Sequence, residues 1–169
     1  MAFEATGLLR LGHILFASLW FGGAAYQVLV IGATLRQAGP AAGGFMQTLA
    51  ARGGIGKYFA INGGLAILFG AGIYGVRMSE EAYDTFSGPG LWLTLGAIVA
   101  VAAYLHGMVV NMPTERKWLA FMRGLKGPPT KDQQAQLQDF GMRLGKAGFL
   151  SFVLIALAML LMLLSRVFV

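Results

Sequence analysis

Cysteine is absent from the 169 residues of this chain. Without thiolates the protein has no disulfides, no cysteine-held iron–sulfur cluster or zinc site, and no cysteine nucleophile. Charge is also scarce, since 12% of the residues are charged. The sequence contains no HExxH, GxSxG or phosphate-loop motif, and no pair of carboxylates inside an apolar stretch. No catalytic constellation can be recognised, so whether the protein is an enzyme stays open.

Long apolar runs take the place of that missing polarity, and 57% of the residues are hydrophobic. A bilayer core of about 30 Å is crossed by a helix of about 20 residues. Four stretches have that length, and the first is too long and lacks the cleavage site of a signal peptide. The sequence predicts an all-α fold, a single domain over residues 1–169 that forms an up-and-down bundle of four transmembrane helices: Leu8–Leu35, Tyr58–Val76, Leu91–Pro113 and Ala147–Ser165.

The thirteen basic residues fall mostly on one side of the predicted membrane. Residues 36–57 and 114–146 carry ten of them, and the other side carries Arg10, Arg77 and Arg166. All seven acids lie outside the spans, three on the more basic side and four on the other, including Glu80 and Glu81. The positive-inside rule places both termini outside and both long loops in the cytoplasm, in a bacterial-type cytoplasmic (inner) membrane. Contact with anionic lipid explains the net charge of +6, and no aromatic-lined basic surface indicates nucleic acid binding.

The two basic loops are predicted to contain short helices at the membrane surface. Phe45–Arg52 has three apolar residues on one helical face. Pro113 is expected to end the third span, and Thr114–Leu125 is expected to lie in the interface with Trp118 as its anchor. Thr130, with a glutamine three residues later, has the pattern of a capping box and predicts the start of a helix that runs into the fourth span.

Small residues recur at four-residue spacing in the second span. In lipid, such pairs let helix backbones approach closely, where dispersion and not water exclusion holds them together. The second span is therefore predicted to be the most closely packed helix, through Ala60/Gly64, Ala66/Gly70 and Ala71/Gly75.

Both histidines of the chain lie inside predicted spans, where ionisable groups are costly and are candidates for function. His13 shares a helical face with Trp20 and Gln27 at steps of seven residues. Two interpretations of this stripe stay open: it forms hydrogen bonds between helices, or it supplies a cofactor ligand.

The two histidines are predicted to differ in depth by about 15 Å at 1.5 Å per residue. Two axial ligands of one haem would have to lie about 4 Å apart, with metal–nitrogen bonds near 2 Å, so a haem shared by His13 and His106 is disfavoured. Met159 and Met162 of the fourth span are level with His13. A histidine–methionine pair suits haem or copper, although methionine is also an ordinary filler of apolar cores.

His106 has a polar neighbourhood of its own in the cytoplasmic half of the bundle. Met108 and Met112 could extend it as a path for a soft metal such as copper. The alternative is a set of hydrogen bonds that simply hold helices together. The polar residues expected at this level are Gln27, Asn62, Tyr104, Asn111 and Ser151.

Residues 11–23 read Leu-Gly-His-Ile-Leu-Phe-Ala-Ser-Leu-Trp-Phe-Gly-Gly. This run resembles the first-helix signature of small four-helix membrane proteins that include the copper-resistance D (CopD) type and the HemJ-type protoporphyrinogen oxidases. The resemblance is closest to an uncharacterised branch, because the Pro-Arg segment and the intramembrane lysine of the HemJ type are missing, as is the copper-binding partner domain of CopD. It implies that His13 is the ligand of a b-type haem.

Three functions follow as alternatives. The first is a haem-binding or redox-associated membrane protein with His13 as ligand. The second is a copper- or metal-handling protein that uses His106, Met108 and Met112, or His13 with Met159 and Met162. The third is a non-catalytic subunit whose small-residue faces pack against other membrane subunits or against a second copy of the chain.

Overall fold

The computed structural model describes residues 2–79 and 84–167, and helices account for nearly all of them. The residues described contain no strand, which confirms the predicted all-α fold. Glu80 and Glu81, two acids of the short loop, lie outside the described residues. The α-helices are α1 Ala2–Ala25, α2 Gly32–Ala38, α3 Gly43–Arg52, α4 Ile55–Ser79, α5 Gly88–His106, α6 Met112–Gly124 and α7 Lys131–Val167.

Two π-helical segments join α-helices end to end. Tyr26–Ile31 links α1 to α2, and Gly107–Asn111 links α5 to α6. A π turn contains one residue more than an α turn and is often found at functional sites. Both segments lie roughly 20 residues into a helix that starts at the same end of the bundle, so they are at similar depth.

Four helical rods are long and apolar enough to cross a membrane, and the chain is a multi-pass integral membrane protein. Span 1 is Thr6–Ala38, span 2 Ile55–Arg77, span 3 Gly88–Gly124 and span 4 Lys131–Val167. The predicted four spans are confirmed. Spans 3 and 4 are longer than predicted because each helix continues into polar sequence beyond its apolar stretch. We call the end of the bundle that carries residues 36–57 and 114–146 the basic end.

The bundle consists of two antiparallel helical hairpins. Helix α1 packs most extensively against α4, and α5 against α7. Smaller contacts of α1 with α7 and of α4 with α5 close the ring. Each span therefore lies beside two antiparallel neighbours, as expected for an up-and-down bundle.

Aromatic side chains join the two hairpins at the centre of the bundle. Trp20 is buried and meets Tyr104 edge to face, with ring centroids 6.2 Å apart. Phe21 stacks on Phe152 at 5.9 Å. Many other large apolar side chains are exposed, such as Val109 at 71%. In a soluble protein that exposure would be costly, but here it provides the surface that faces lipid.

Close packing of span 2 depends on its glycines. An ideal Cβ on Gly63 would lie 2.9 Å from ring atoms of both Trp20 and Tyr104, and one on Gly64 would lie 3.1 Å from the Tyr104 hydroxyl. Span 2 is thus closely packed along this face, but the most extensive helix pair of the bundle is α5 with α7, so the prediction that span 2 is the most closely packed helix is not confirmed. Gly75 is an exception, because no atom lies within 4 Å of its would-be Cβ.

The expectation that Pro113 ends the third span is wrong. The helix continues through Pro113 to Gly124, because the π segment ahead of it shifts the hydrogen-bond register. The N–H of Met112 bonds the carbonyl of Gly107, five residues back. Pro113 then stands in the first turn of α6, where a missing N–H and a fixed φ are tolerated.

Residues 114–124 are helical as predicted, but they continue span 3 instead of forming a separate helix. Trp118 is 6% exposed and so is packed inside the protein, not placed as an anchor in the interface. The carboxylate of Glu115 accepts the N–H of Gly56 at 3.2 Å. This contact joins α6 to the first turn of α4, where the helix dipole stabilises a negatively charged side chain.

The other two predictions for the basic end are confirmed. Helix α3 covers the predicted Phe45–Arg52, and its position at the membrane surface stays a prediction. The N–H of Thr130 donates to Gln133 Oε1 at 2.9 Å, and the N–H of Gln133 donates to Thr130 Oγ1 at 3.3 Å. This reciprocal pair is a capping box, and α7 runs from it without a break to Val167.

Candidate functional site

His13 lies on the face of α1 that packs against α4. Its Nδ1 is 2.8 Å from the backbone carbonyl oxygen of Ala66. A carbonyl only accepts hydrogen bonds, so Nδ1 must carry the proton. In the neutral imidazole, Nε2 then holds the lone pair.

Gly70 makes this contact possible. In an α-helix the carbonyl of Ala66 already bonds the N–H of residue 70, one turn further on. An ideal Cβ on Gly70 would lie 3.0 Å from both Nδ1 and Cε1 of His13. The absence of a side chain there lets the imidazole reach a carbonyl that other residues would cover. The Ala66/Gly70 pair therefore forms the surface of α4 against which the His13 imidazole packs.

The second nitrogen of His13 has no comparable contact. His13 is half-buried, and among the residues that the structure describes Nε2 has no hydrogen-bond partner. Phe69 covers Gly12 and stacks on Phe16 at 5.7 Å, so the surroundings on this part of α1 are apolar. A metal-bound histidine typically donates its other N–H to a carbonyl or carboxylate. The donor set at His13 fits one axial ligand of a haem or another metal.

The other two residues of the predicted stripe on span 1, Trp20 and Gln27, differ in burial. Trp20 is buried in the core between the hairpins. Gln27 is exposed and lies in the π segment that begins at Tyr26. The expectation that Gln27 shares a face with His13 and lies near His106 stays a prediction.

The two methionines of span 4 have different surroundings. Met159 is 39% exposed on the outer surface of the bundle. Met162 packs against span 3, where its Cγ would be 2.7 Å from an ideal Cβ on Gly96. Their assignment as ligands stays a prediction.

His106 belongs to a cluster in the second hairpin. Its Nδ1 lies 2.9 Å from Ser151 Oγ, and Nδ2 of Asn111 donates to the same oxygen at 2.9 Å. Asn111 and Ser151 therefore join His106 as predicted. Two other expected members bond backbone carbonyls of α4 instead: Asn62 bonds Tyr58 at 2.8 Å, and Tyr104 bonds Ala60 at 3.4 Å.

Met108 and Met112 are half-buried next to this cluster. Nη2 of Arg116 lies 3.3 Å from the sulfur of Met112. A guanidinium at the sulfur would repel a bound cation. Within residues 2–79 and 84–167, no three or more histidine or acidic side chains come together in a way that could hold a metal ion.

The two imidazoles are well separated. Gly63 lies between Trp20 and Tyr104, so these rings mark one level of the bundle. His13 is seven residues from Trp20 toward the ends of the chain, and His106 is two residues beyond Tyr104 toward the basic end. At 1.5 Å per residue, their separation along the bundle is about 14 Å. This agrees with the inference that the two do not ligate one haem.

Comparison with protein-family models, curated proteins and solved structures gives no match to the chain. The resemblance to the CopD and HemJ types stays a prediction. The functional argument therefore depends on the two histidine sites. The partner of His13 was missed because it is a backbone carbonyl, and the only signal for it was a small-residue pair at the same depth on the next span.

Proposed function

We propose that this integral membrane protein binds b-type haem and takes part in electron transfer in a bacterial-type cytoplasmic membrane, with Nε2 of His13 as an axial ligand. One observation carries the proposal: Nδ1 of His13 donates to the Ala66 carbonyl at 2.8 Å and leaves Nε2 as a free lone pair inside a span. Haem would supply one-electron chemistry.

The energetic argument concerns the unpaired nitrogen. Moving a polar group from water into an apolar environment without a partner costs about 2–7 kcal/mol, and lipid offers no donor to a lone pair. A metal ion bound at Nε2 would remove this cost. The Ala66 carbonyl holds the ring and its tautomer, and Gly70 keeps the space that this orientation needs. With both termini outside, His13 would lie in the outer half of the membrane.

The experiment is the visible spectrum of the protein purified from cells supplied with ample haem. We expect a Soret band in the wild type and its loss in His13→Ala. The matched control is His106→Ala, which removes the other intramembrane histidine and should keep the band. A colourless wild type, or a band that survives His13→Ala and disappears in His106→Ala, would contradict the assignment.

A second candidate is an accessory role, in which the bundle packs against other membrane subunits or another copy. It is favoured by glycines in spans 1 and 2 whose would-be side chains meet nothing within 4 Å: Gly7, Gly22 and Gly75. Such positions allow another helix to approach closely. Co-purification in mild detergent tests this role, and substitution of Gly22 by Leu should abolish it without affecting a haem band.

Copper handling is less favoured because Arg116 contacts the sulfur of Met112.

A further inference from the structure

The π segment Gly107–Asn111 brings two polar side chains to one serine. In an α-helix, residues five apart point about 140° away from each other. A π turn has i→i+5 hydrogen bonds and places such residues nearly one above the other. His106 and Asn111 therefore both reach Ser151 Oγ, each at 2.9 Å. The irregular turn thus builds the cluster.

One hydrogen-bond acceptor of the cluster has no donor. Oδ1 of Asn111 is buried and has no hydrogen-bond partner within the described part of the chain. The Nδ2 of the same amide is used by Ser151. Buried side-chain oxygens in native proteins are nearly always paired with protein or with an ordered molecule. An unpaired oxygen here indicates a donor that comes from outside the chain.

Pro113 adds a second acceptor on the same turn. The N–H of Met112 bonds Gly107, and in that register the carbonyl of Met108 would bond the N–H of residue 113. Proline has no N–H, so Met108 lacks that donor. The turn therefore presents two acceptors without a donor, Oδ1 of Asn111 and the carbonyl of Met108.

We propose that Asn111, with His106 and Ser151, forms a binding site for a small molecule that donates an O–H group to Oδ1 of Asn111. The O–H can come from a water molecule or from the hydroxyl of a lipid-soluble quinol. Both have the same hydrogen-bonding chemistry. The site lies about 14 Å from His13 along the bundle, and it does not depend on haem binding there.

The test is infrared spectroscopy of the Asn111 amide carbonyl. The chain has two asparagines, so Asn62→Gln with selective ¹³C-asparagine labelling leaves a single reporter. We expect the labelled C=O band at the lower frequency of a hydrogen-bonded amide. A bonded band in quinol-free protein assigns the donor as water, and a bonded band that appears only after a short-chain quinol is added assigns it as quinol.

Two outcomes would overturn the proposal. One is a band at the unbonded frequency in both samples, which would show that the oxygen has no donor. The other is a bonded band that disappears in Ser151→Ala, which would show that Oδ1 is bonded by the serine and needs no ligand. Circular dichroism of each variant checks that the helices are intact. None of these outcomes depends on the Soret band, so this proposal and the haem proposal can fail separately.

Discussion

Replacement of Gly70 by alanine tests whether the absence of a side chain at that position lets the imidazole of His13 bond the Ala66 carbonyl. The added Cβ would lie 3.0 Å from Nδ1 and Cε1 of the ring. Carbon contacts are optimal at about 3.5–4.0 Å. The ring must therefore move by about 0.5 Å, and the bond from Nδ1 to the Ala66 carbonyl would lengthen from 2.8 Å to about 3.3 Å, past the usual range.

The effect on stability should be small because two terms oppose each other. A weakened neutral hydrogen bond costs up to about 1 kcal/mol. Alanine in place of glycine stabilises a helix by about 0.8–1.0 kcal/mol in peptide hosts. The free energy of unfolding should therefore change by less than about 1 kcal/mol, while the histidine changes its tautomer. A tautomer change without a large change in stability would show that Gly70 positions the imidazole of His13. A general packing position would instead change the stability.

The measurement is ¹⁵N NMR of histidine-labelled protein in detergent, in a His106→Ala background that leaves His13 as the only imidazole. The protein with Gly70 should show one tautomer, protonated at Nδ1. The Gly70→Ala variant should show a mixture, since the carbonyl no longer selects the proton position. Haem occupancy, where haem binds, should fall in the same variant.

Gly75→Ala is the control, because it lies on the same helix and has no atom within 4 Å of the added Cβ. It should leave the tautomer of His13 unchanged. If Gly70→Ala gives the same nitrogen spectrum as Gly75→Ala, then Gly70 does not position the imidazole. The argument from the lone pair on Nε2 would then lose its support.

Three further predictions concern packing, capping and charge. Gly63→Ala places a methyl group between two rings and should lower the free energy of unfolding by about 1–3 kcal/mol, measured by detergent unfolding, whereas Gly75→Ala should not lower it. Thr130→Ala removes one half of the capping box with Gln133 and should cost about 1 kcal/mol, seen as faster amide exchange in the first turn of α7 only. The pKa of Asp84 is lowered by the hydroxyl of the serine three residues on and by the backbone N–H two residues on. The turn is therefore stabilised above the ordinary pKa of 3.8 and loses this stabilisation as the pH falls through the lowered value. Asp84→Asn should abolish the pH dependence of amide protection in that turn, measured as the exchange rate relative to the intrinsic rate at each pH, and an unchanged protection profile would refute the contact.

The four spans and the capping box at Thr130 could be predicted because their causes are local. A run of apolar residues long enough to cross lipid has few other stable solutions, since every backbone N–H and C=O must be satisfied within the segment. The capping box depends on two side chains three residues apart. Neither requires knowledge of a neighbouring helix.

The errors arose where a helix departs from its regular period. The stop assigned to Pro113 assumed 3.6 residues per turn. The π segment ahead of it changed the register. Trp118 was placed in the interface from its basic neighbours, but packing between helices buried it. No local pattern in the chain predicts these turns.

Composition and periodicity were enough to establish a four-span membrane bundle and to single out two intramembrane histidines, because hydrocarbon excludes uncompensated polarity wherever it occurs along the chain. The partners of those histidines could be found only once the spans were packed. A backbone carbonyl at Ala66 and a serine hydroxyl at Ser151 lie 53 and 45 residues away in sequence. Their proximity depends on which helices pair, on the glycines that let them approach, and on a π turn that aims Asn111 at the same serine.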